Sequence, residues 1–163
     1  MPFTPTHILA VLPVHFSYRK LLLPALAVGS MIPDFVMFFP ISDYYFSHSL
    51  VGLFAYCLPM GMAVYYLWEW FGKEFAITLS PERIQIQYRI YDRRCSKPRF
   101  GFIDIFLTAI AIIIGSITHI VWDAFTHKGE WGVELIPYLD INYFNMAVLL
   151  LVCLCYFIWV FYI

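Results

Sequence analysis

Long apolar stretches occur at three places in the chain, 49–71, 105–125 and 144–163. Because a helix rises about 1.5 Å per residue, each stretch is long enough to cross a hydrocarbon core roughly 30 Å thick. A fourth stretch, 21–42, contains a single charged residue, and a shorter one, 4–17, predicts a half-span. The pattern therefore predicts an all-α fold, a polytopic membrane bundle of four to five helices.

The composition of the chain is also that of a membrane protein. Hydrophobic residues make up 62% of the chain and charged residues 13%, whereas soluble domains average roughly 45–50% and about 25%. We therefore expect one membrane domain covering residues 1–163, with the lipid bilayer as its partner. We expect no nucleic acid as a partner, because the sequence has no basic face of the kind that such binding needs.

Basic residues are concentrated in one polar loop at about 72–101. Seven of the ten Lys and Arg residues of the chain lie between Lys73 and Arg99, and the positive-inside rule places such a loop in the cytoplasm. Four residues of the loop alternate with polar ones and predict a short strand or an interfacial ribbon: Ile84, Ile86, Tyr88 and Ile90.

Histidine and aspartate residues within or beside the apolar stretches form the candidate site. If the basic loop is cytoplasmic, the helix ends that carry these residues all lie on the outer face of the membrane. His119, Asp123 and His127 are spaced i, i+4, i+8. In a helix, successive members of this series are rotated by only about 40°, so the three side chains share one stripe of the helix surface. The candidates are His7, Asp34, His48, His119, Asp123 and His127.

A shared divalent cation, zinc in particular, would explain this set. An Asp at the centre of a membrane helix costs roughly 2.5–3.5 kcal/mol, so unpaired ones are rare. A catalytic zinc usually takes three protein ligands and one open position, so five residues suffice for two ions if Asp123 bridges, or for one well-filled ion. His127 is then a sixth ligand or supports another ligand. The alternative is that the same residues form interhelical hydrogen bonds with no metal.

Four segments within residues 1–132 carry a resemblance to a known family: MPFTPTH, GSMIPDF, FSHSLVGLF and GSITHIVWDAFTHKGEW. They resemble an uncharacterised bacterial integral membrane family of unknown function. Their order is also similar to that of membrane-bound metal-dependent hydrolases and, more distantly, of the zinc-dependent phospholipase C and P1 nuclease group. The resemblance implies a bacterial cytoplasmic (inner) membrane protein with His7, Asp34, His48, His119 and Asp123 as metal ligands, Asp123 bridging.

Metal-dependent hydrolysis of phosphoesters at the outer membrane face is the function we expect. Asp34 is the candidate general base, with Glu130 and Glu134 as alternatives. The position of the site suggests a phospholipid or a lipid-linked phosphate as substrate. Two other functions stay open at this stage. The protein could handle ions across the bilayer, or it could be a non-catalytic membrane protein that keeps a metal for structure.

Overall fold

The computed structural model describes residues 7–18, 21–38, 42–86, 101–126 and 131–135. Most of these residues lie in helices, including a short helix at residues 82–86, and no β-strand occurs among them, which confirms the all-α class. The helices are α1 (His7–Ser17), α2 (Leu23–Met31) with its 3-10 continuation (Ile32–Met37), α3 (Tyr44–Ser47), α4 (Leu50–Leu79), α5 (Phe102–Thr126) and α6 (Trp131–Leu135). The predicted helix at 144–163 lies outside the described residues.

Two of the described helices, α4 and α5, are long and apolar enough to cross a membrane. α1 and the continuous pair of α2 and its 3-10 segment are shorter. The pair reaches only about 25 Å, since it has nine α-helical and six 3-10 residues. α4 runs past its predicted end at residue 71 to Leu79, and Lys73 and Glu69 form an ion pair at 3.7 Å between adjacent turns of the extension.

The predicted strand in the polar loop is wrong for the part that is described. Residues 82–86 are helical. The backbone N–H groups of Ile84 and Gln85 both donate to the carbonyl of Pro81, at 2.9 and 3.1 Å. Pro is favoured at the start of a helix, where its missing N–H has no partner, so local hydrogen bonding outweighs the apolar alternation. Tyr88 and Ile90 lie outside the described residues.

α2 and α5 run parallel and form the most extensive contact between the described helices. Two glycines allow this close approach. A Cβ on Gly29 would collide with the backbone of Ile112, and a Cβ on Gly115 would lie 2.8 Å from the backbone nitrogen of Ser30. Small residues at such a crossing let two backbones approach closely. The backbone of α2 is therefore within hydrogen-bonding reach of side chains on α5.

α1 and α4 run in the opposite direction to α2 and α5. Buried side chains from all four helices form one core cluster, which includes Val11, Leu26, Tyr65 and Ile112. This arrangement brings the starts of α1 and α4 next to the ends of α5 and of the 3-10 segment. The candidate residues lie at this end of the bundle.

Candidate metal centre

Four ligand atoms meet at this end of the bundle, one each from Asp34, His48, His119 and Asp123, all within 4.8 Å of one another. Nε2 of His119 lies 3.2 Å from Oδ2 of Asp123 and 3.4 Å from Oδ1 of Asp34. Nε2 of His48 lies 3.6 and 3.9 Å from the same two oxygens. Two imidazole nitrogens and two carboxylate oxygens thus surround one point, a set that could hold a metal ion. We call these four residues the four-ligand cluster.

The nitrogen–oxygen distances within the four-ligand cluster lie in the range of ion pairs and also suit ligands around a shared cation. Charge-assisted N–H···O bonds are about 2.7–2.9 Å long, and every nitrogen–oxygen distance here is longer. Ligand atoms about 2.0–2.1 Å from one tetrahedral zinc lie roughly 3.3 Å apart. The two shortest distances, 3.2 and 3.4 Å, are close to that value.

His119 is oriented by the backbone of α2. Its Nδ1 lies 2.7 Å from the carbonyl oxygen of Ser30 and donates to it. A neutral imidazole that carries its proton on Nδ1 has a lone pair on Nε2. That Nε2 is buried and, among the described residues, has no hydrogen-bond partner. In this neutral form the imidazole would present a lone pair to a cation between the two carboxylates, whereas a protonated imidazole would pair with the carboxylates directly.

Pro33 explains why backbone carbonyls of α2 can accept hydrogen bonds from side chains of α5. In an uninterrupted α-helix, the carbonyl of Gly29 would accept from residue 33, but proline has no N–H. The α-helix changes to a 3-10 helix at Ile32, and 3-10 pairing also redirects the N–H of residue 34 away from Ser30. The carbonyl of Gly29 accepts from Oγ of Ser116 at 3.0 Å instead.

His48 is oriented in the same way by its own turn. Its Nδ1 lies 3.0 Å from the carbonyl oxygen of Tyr44 and 3.0 Å from Oγ of Ser47, and the ring of Tyr44 stacks on it at 4.0 Å. Ser49 caps the start of α4 by accepting from the backbone nitrogen of Gly52 at 3.0 Å. The Nε2 of His48 is buried and has no hydrogen-bond partner within the described part of the chain.

His7 lies beside the four-ligand cluster and contacts the other oxygen of Asp123. Its Nε2 is 3.5 Å from Oδ1 of Asp123, its ring lies 4.0 Å from that of His119, and Trp122 meets it edge-on. His7 and His119 are fully buried. Asp123 thus faces His7 with one oxygen and the cluster with the other.

The structure brings together five of the six predicted ligands, four of them in the cluster and His7 at its side. His127 lies outside the described residues, as does Glu130. Glu134 lies on α6 and is exposed.

Sequence reasoning missed Ser30 and Tyr44, whose carbonyls accept from the imidazoles. It also missed the effect of Pro33 on α2 and the hydrogen bond from Ser116 to Gly29. One signal was present in the sequence. A proline four residues after a glycine in an apolar helix leaves a carbonyl without its usual partner.

A comparison with protein families matches nearly the whole chain to one family. The model described as "Domain of unknown function (DUF4184)" matches residues 1–162. Neither a curated protein nor a solved structure matches the chain. The resemblance to hydrolases therefore stays a prediction, while membership of an uncharacterised family is confirmed. The chain belongs to the DUF4184 family.

Proposed function

We propose that the protein is a membrane-bound, metal-dependent hydrolase of phosphoesters. One observation carries the proposal. The imidazoles of His48 and His119 each donate from Nδ1 to a backbone carbonyl and direct Nε2 to the same two carboxylate oxygens. Hydrogen bonds of this kind commonly orient the histidine ligands of metals.

The chemistry of the donors favours zinc. Imidazole nitrogen and carboxylate oxygen are both common zinc ligands, whereas magnesium and calcium sites are built from oxygen alone. A divalent cation bound there supplies a Lewis acid and a water activated at neutral pH, the two requirements of phosphoester hydrolysis. Two carboxylates also balance the charge of one divalent ion, which suits a buried site.

Asp34 is the residue best placed to accept a proton during hydrolysis. Its Oδ1 contributes to the four-ligand cluster, and a carboxylate has a second oxygen that can take a proton from an attacking water. Asp34 and His48 are also the least buried members of the cluster, so a phosphoryl group would reach the site past them.

Asp123 is placed to bridge two ions. Oδ2 faces His48 and His119, and Oδ1 faces His7. A second ion held by His7 and Asp123 would share this carboxylate with the first, an arrangement used by two-metal hydrolases. The number of ions per chain, one or two, is a direct readout of this part of the proposal.

Function in ion transport has less support. A relay would need polar groups that continue along the bundle, and α5 has no ionisable residue between Asp104 and His119. The buried hydroxyls of Thr108 and Ser116 donate to the backbone carbonyls of Asp104 and Gly29. Hydroxyls committed to carbonyls in this way support helix packing.

The proposal places α4 and α5 across the bacterial cytoplasmic membrane with the site on the outer face. His48 lies two positions before α4, and Lys73 lies near the opposite end of the same helix. The basic segment that begins at Lys73 would then lie in the cytoplasm by the positive-inside rule.

The experiment that tests this function combines metal content with an assay of hydrolysis. The full chain, purified in detergent, is measured for zinc per chain and for hydrolysis of phosphomonoester and phosphodiester lipids. We expect His119→Ala and Asp123→Asn to lose both. His15→Ala is the matched control, because His15 lies at the other end of α1, where its Nδ1 contacts the carbonyl of Leu21 at 2.9 Å.

Two results would count against the proposal. Zinc that is present in the intact protein and lost in both variants, with no hydrolysis of any substrate, would leave a structural metal only. An intact protein without bound metal would remove the site itself.

A further inference from the structure

The four-ligand cluster is buried, and its least buried members are Asp34 and His48. The side chains of His7 and His119 are 0% exposed and that of Asp123 is 7% exposed, whereas those of Asp34 and His48 are 9% and 13% exposed. Asp34 comes from the 3-10 segment and His48 from the turn between α3 and α4. A ligand of the metal centre would therefore enter between these two elements.

The surface around this Asp34–His48 edge of the cluster is apolar. Exposed hydrophobic side chains occur at the end of the 3-10 segment, on α3 and on the first turns of α4, and they include Phe38, Phe46, Leu50, Val51 and Phe54. From Leu21 to Trp68 the chain contains no Lys or Arg, and its only charged residues are Asp34 and Asp43. A site that takes its phosphate from water usually has basic residues at its entrance, and this segment supplies none.

The depth of the site matches that of lipid head groups. His48 lies two positions before α4, and His119 lies six residues, or about 9 Å, before Phe125, the end of the second candidate span. The hydrocarbon core is about 30 Å thick, and the head-group regions bring the bilayer to about 40–45 Å. With α4 and α5 across the bilayer as proposed, both helices would place the cluster close to one boundary of the hydrocarbon core.

We propose that the metal centre receives its substrate sideways from the bilayer: a glycerophospholipid whose phosphate enters at the Asp34–His48 edge while its acyl chain lies along Phe46, Leu50 and Phe54. This inference rests on the proposed metal centre and adds the source of the substrate. Leu50 and Phe54, 82% and 57% exposed, lie one turn apart on one face of α4. An acyl chain on this face would extend the contact with lipid that the proposed span makes.

A binding experiment tests the sideways entry without depending on turnover. The full chain is loaded with cobalt(II), whose absorption reports a change of ligands, and is placed in phosphatidylcholine nanodiscs. It is titrated with dioleoyl phosphatidic acid in the nanodisc or with glycerol 3-phosphate in water, which carry the same phosphate group. The test variant is Leu50→Ser/Phe54→Ser. The matched control is Phe71→Ser/Phe75→Ser, an exposed apolar pair with the same spacing on α4.

We expect the test variant to bind phosphatidic acid at least about tenfold more weakly, because two apolar contacts are lost. Its response to glycerol 3-phosphate and its cobalt affinity should be unchanged, and the control pair should behave as the intact protein. Equal effects of the two double variants, or equal responses of the intact protein to lipid and to glycerol 3-phosphate, would overturn the proposal. A chain that binds no cobalt would overturn the metal centre and this inference with it, whereas selective lipid binding without hydrolysis would contradict only the hydrolase activity.

Discussion

Nδ1 of His119 lies 2.7 Å from the carbonyl oxygen of Ser30, and this contact connects helix packing to the chemistry of the site. The carbonyl belongs to α2 and the imidazole to α5, so the two helices must be close before the imidazole can be oriented. Gly29 and Gly115 allow that approach, and Pro33 leaves the backbone carbonyls of α2 open to α5. The same few residues thus determine the fold and the direction of a proposed metal ligand.

Replacing Pro33 tests this connection. In Pro33→Ala, the new N–H can bond to the carbonyl of Gly29 and extend the α-helix towards Asp34, in competition with Ser116 and His119. We expect zinc affinity to fall about 10–100-fold, as for the loss of other groups that orient metal ligands. A competition titration with a zinc-binding dye measures it.

Pro24→Ala is the matched control for this substitution. Pro24 lies in the first turn of the same helix, where a missing N–H leaves no carbonyl without a partner, so zinc affinity should not change. Unchanged affinity in Pro33→Ala as well would contradict the orienting role of the freed carbonyls.

Gly115→Ala should destabilise the bundle. Its Cβ would collide with the carbonyl of Leu26 and lie 2.8 Å from the backbone nitrogen of Ser30, so α2 and α5 must separate. We expect a loss of about 1–3 kcal/mol in the free energy of unfolding, which lowers Tm by roughly 2–4 °C per kcal/mol in a chain of this size.

Thermal unfolding followed by tryptophan fluorescence in detergent measures the change. Gly101→Ala is the control, since Gly101 is exposed and its nearest neighbour is a side-chain oxygen of Asp104 at 3.0 Å, which can move aside. Equal Tm values for the two variants would show that the crossing does not require glycine.

Asp34→Asn separates the role of a general base from that of a ligand. The amide keeps an oxygen that can face the metal but cannot accept a proton, so we expect hydrolysis to fall by about 10²–10⁴-fold while most of the zinc is retained. Asp43→Asn is the control because Asp43 is exposed. A parallel loss of zinc and of hydrolysis in Asp34→Asn would assign Asp34 to metal binding alone.

Removing the metal should lower stability. A ligand present at about 100 times its Kd stabilises the folded state by about 2.7 kcal/mol, so a chelator should lower Tm by roughly 5–10 °C. The His119→Ala variant should show the lower Tm with or without chelator. A Tm of the intact protein that does not respond to chelator would argue that the two carboxylates are balanced by protonated histidines instead.

Much of the site could be predicted from spacing. His119 and Asp123 are four residues apart on one helix, and the alternation of helix directions places His7, Asp34 and His48 at the same end. The ligand atoms of four of these residues do meet in the structure. The sequence could not show that Asp123 turns a different oxygen to His7 than to the cluster, because that depends on the positions of three helices.

Backbone details were the least predictable part. The change from α2 to a 3-10 helix at Ile32 depends on Pro33. It also depends on two hydrogen bonds from α5, in which the carbonyls of Gly29 and Ser30 accept from Ser116 and His119. Residues 82–86 are helical because the carbonyl of Pro81 accepts hydrogen bonds from two backbone N–H groups. The two-residue period of apolar side chains gives no information about these backbone bonds.

Zinc K-edge X-ray absorption of the purified full chain tests the central claim most directly. The account predicts a first shell of nitrogen and oxygen at about 2.0–2.1 Å with imidazole scattering and without sulfur, whose shell would lie near 2.3 Å. In His119→Ala the imidazole signal should weaken or the zinc should be lost. A sulfur shell, or a protein that retains no zinc after free metal is removed, would contradict the account.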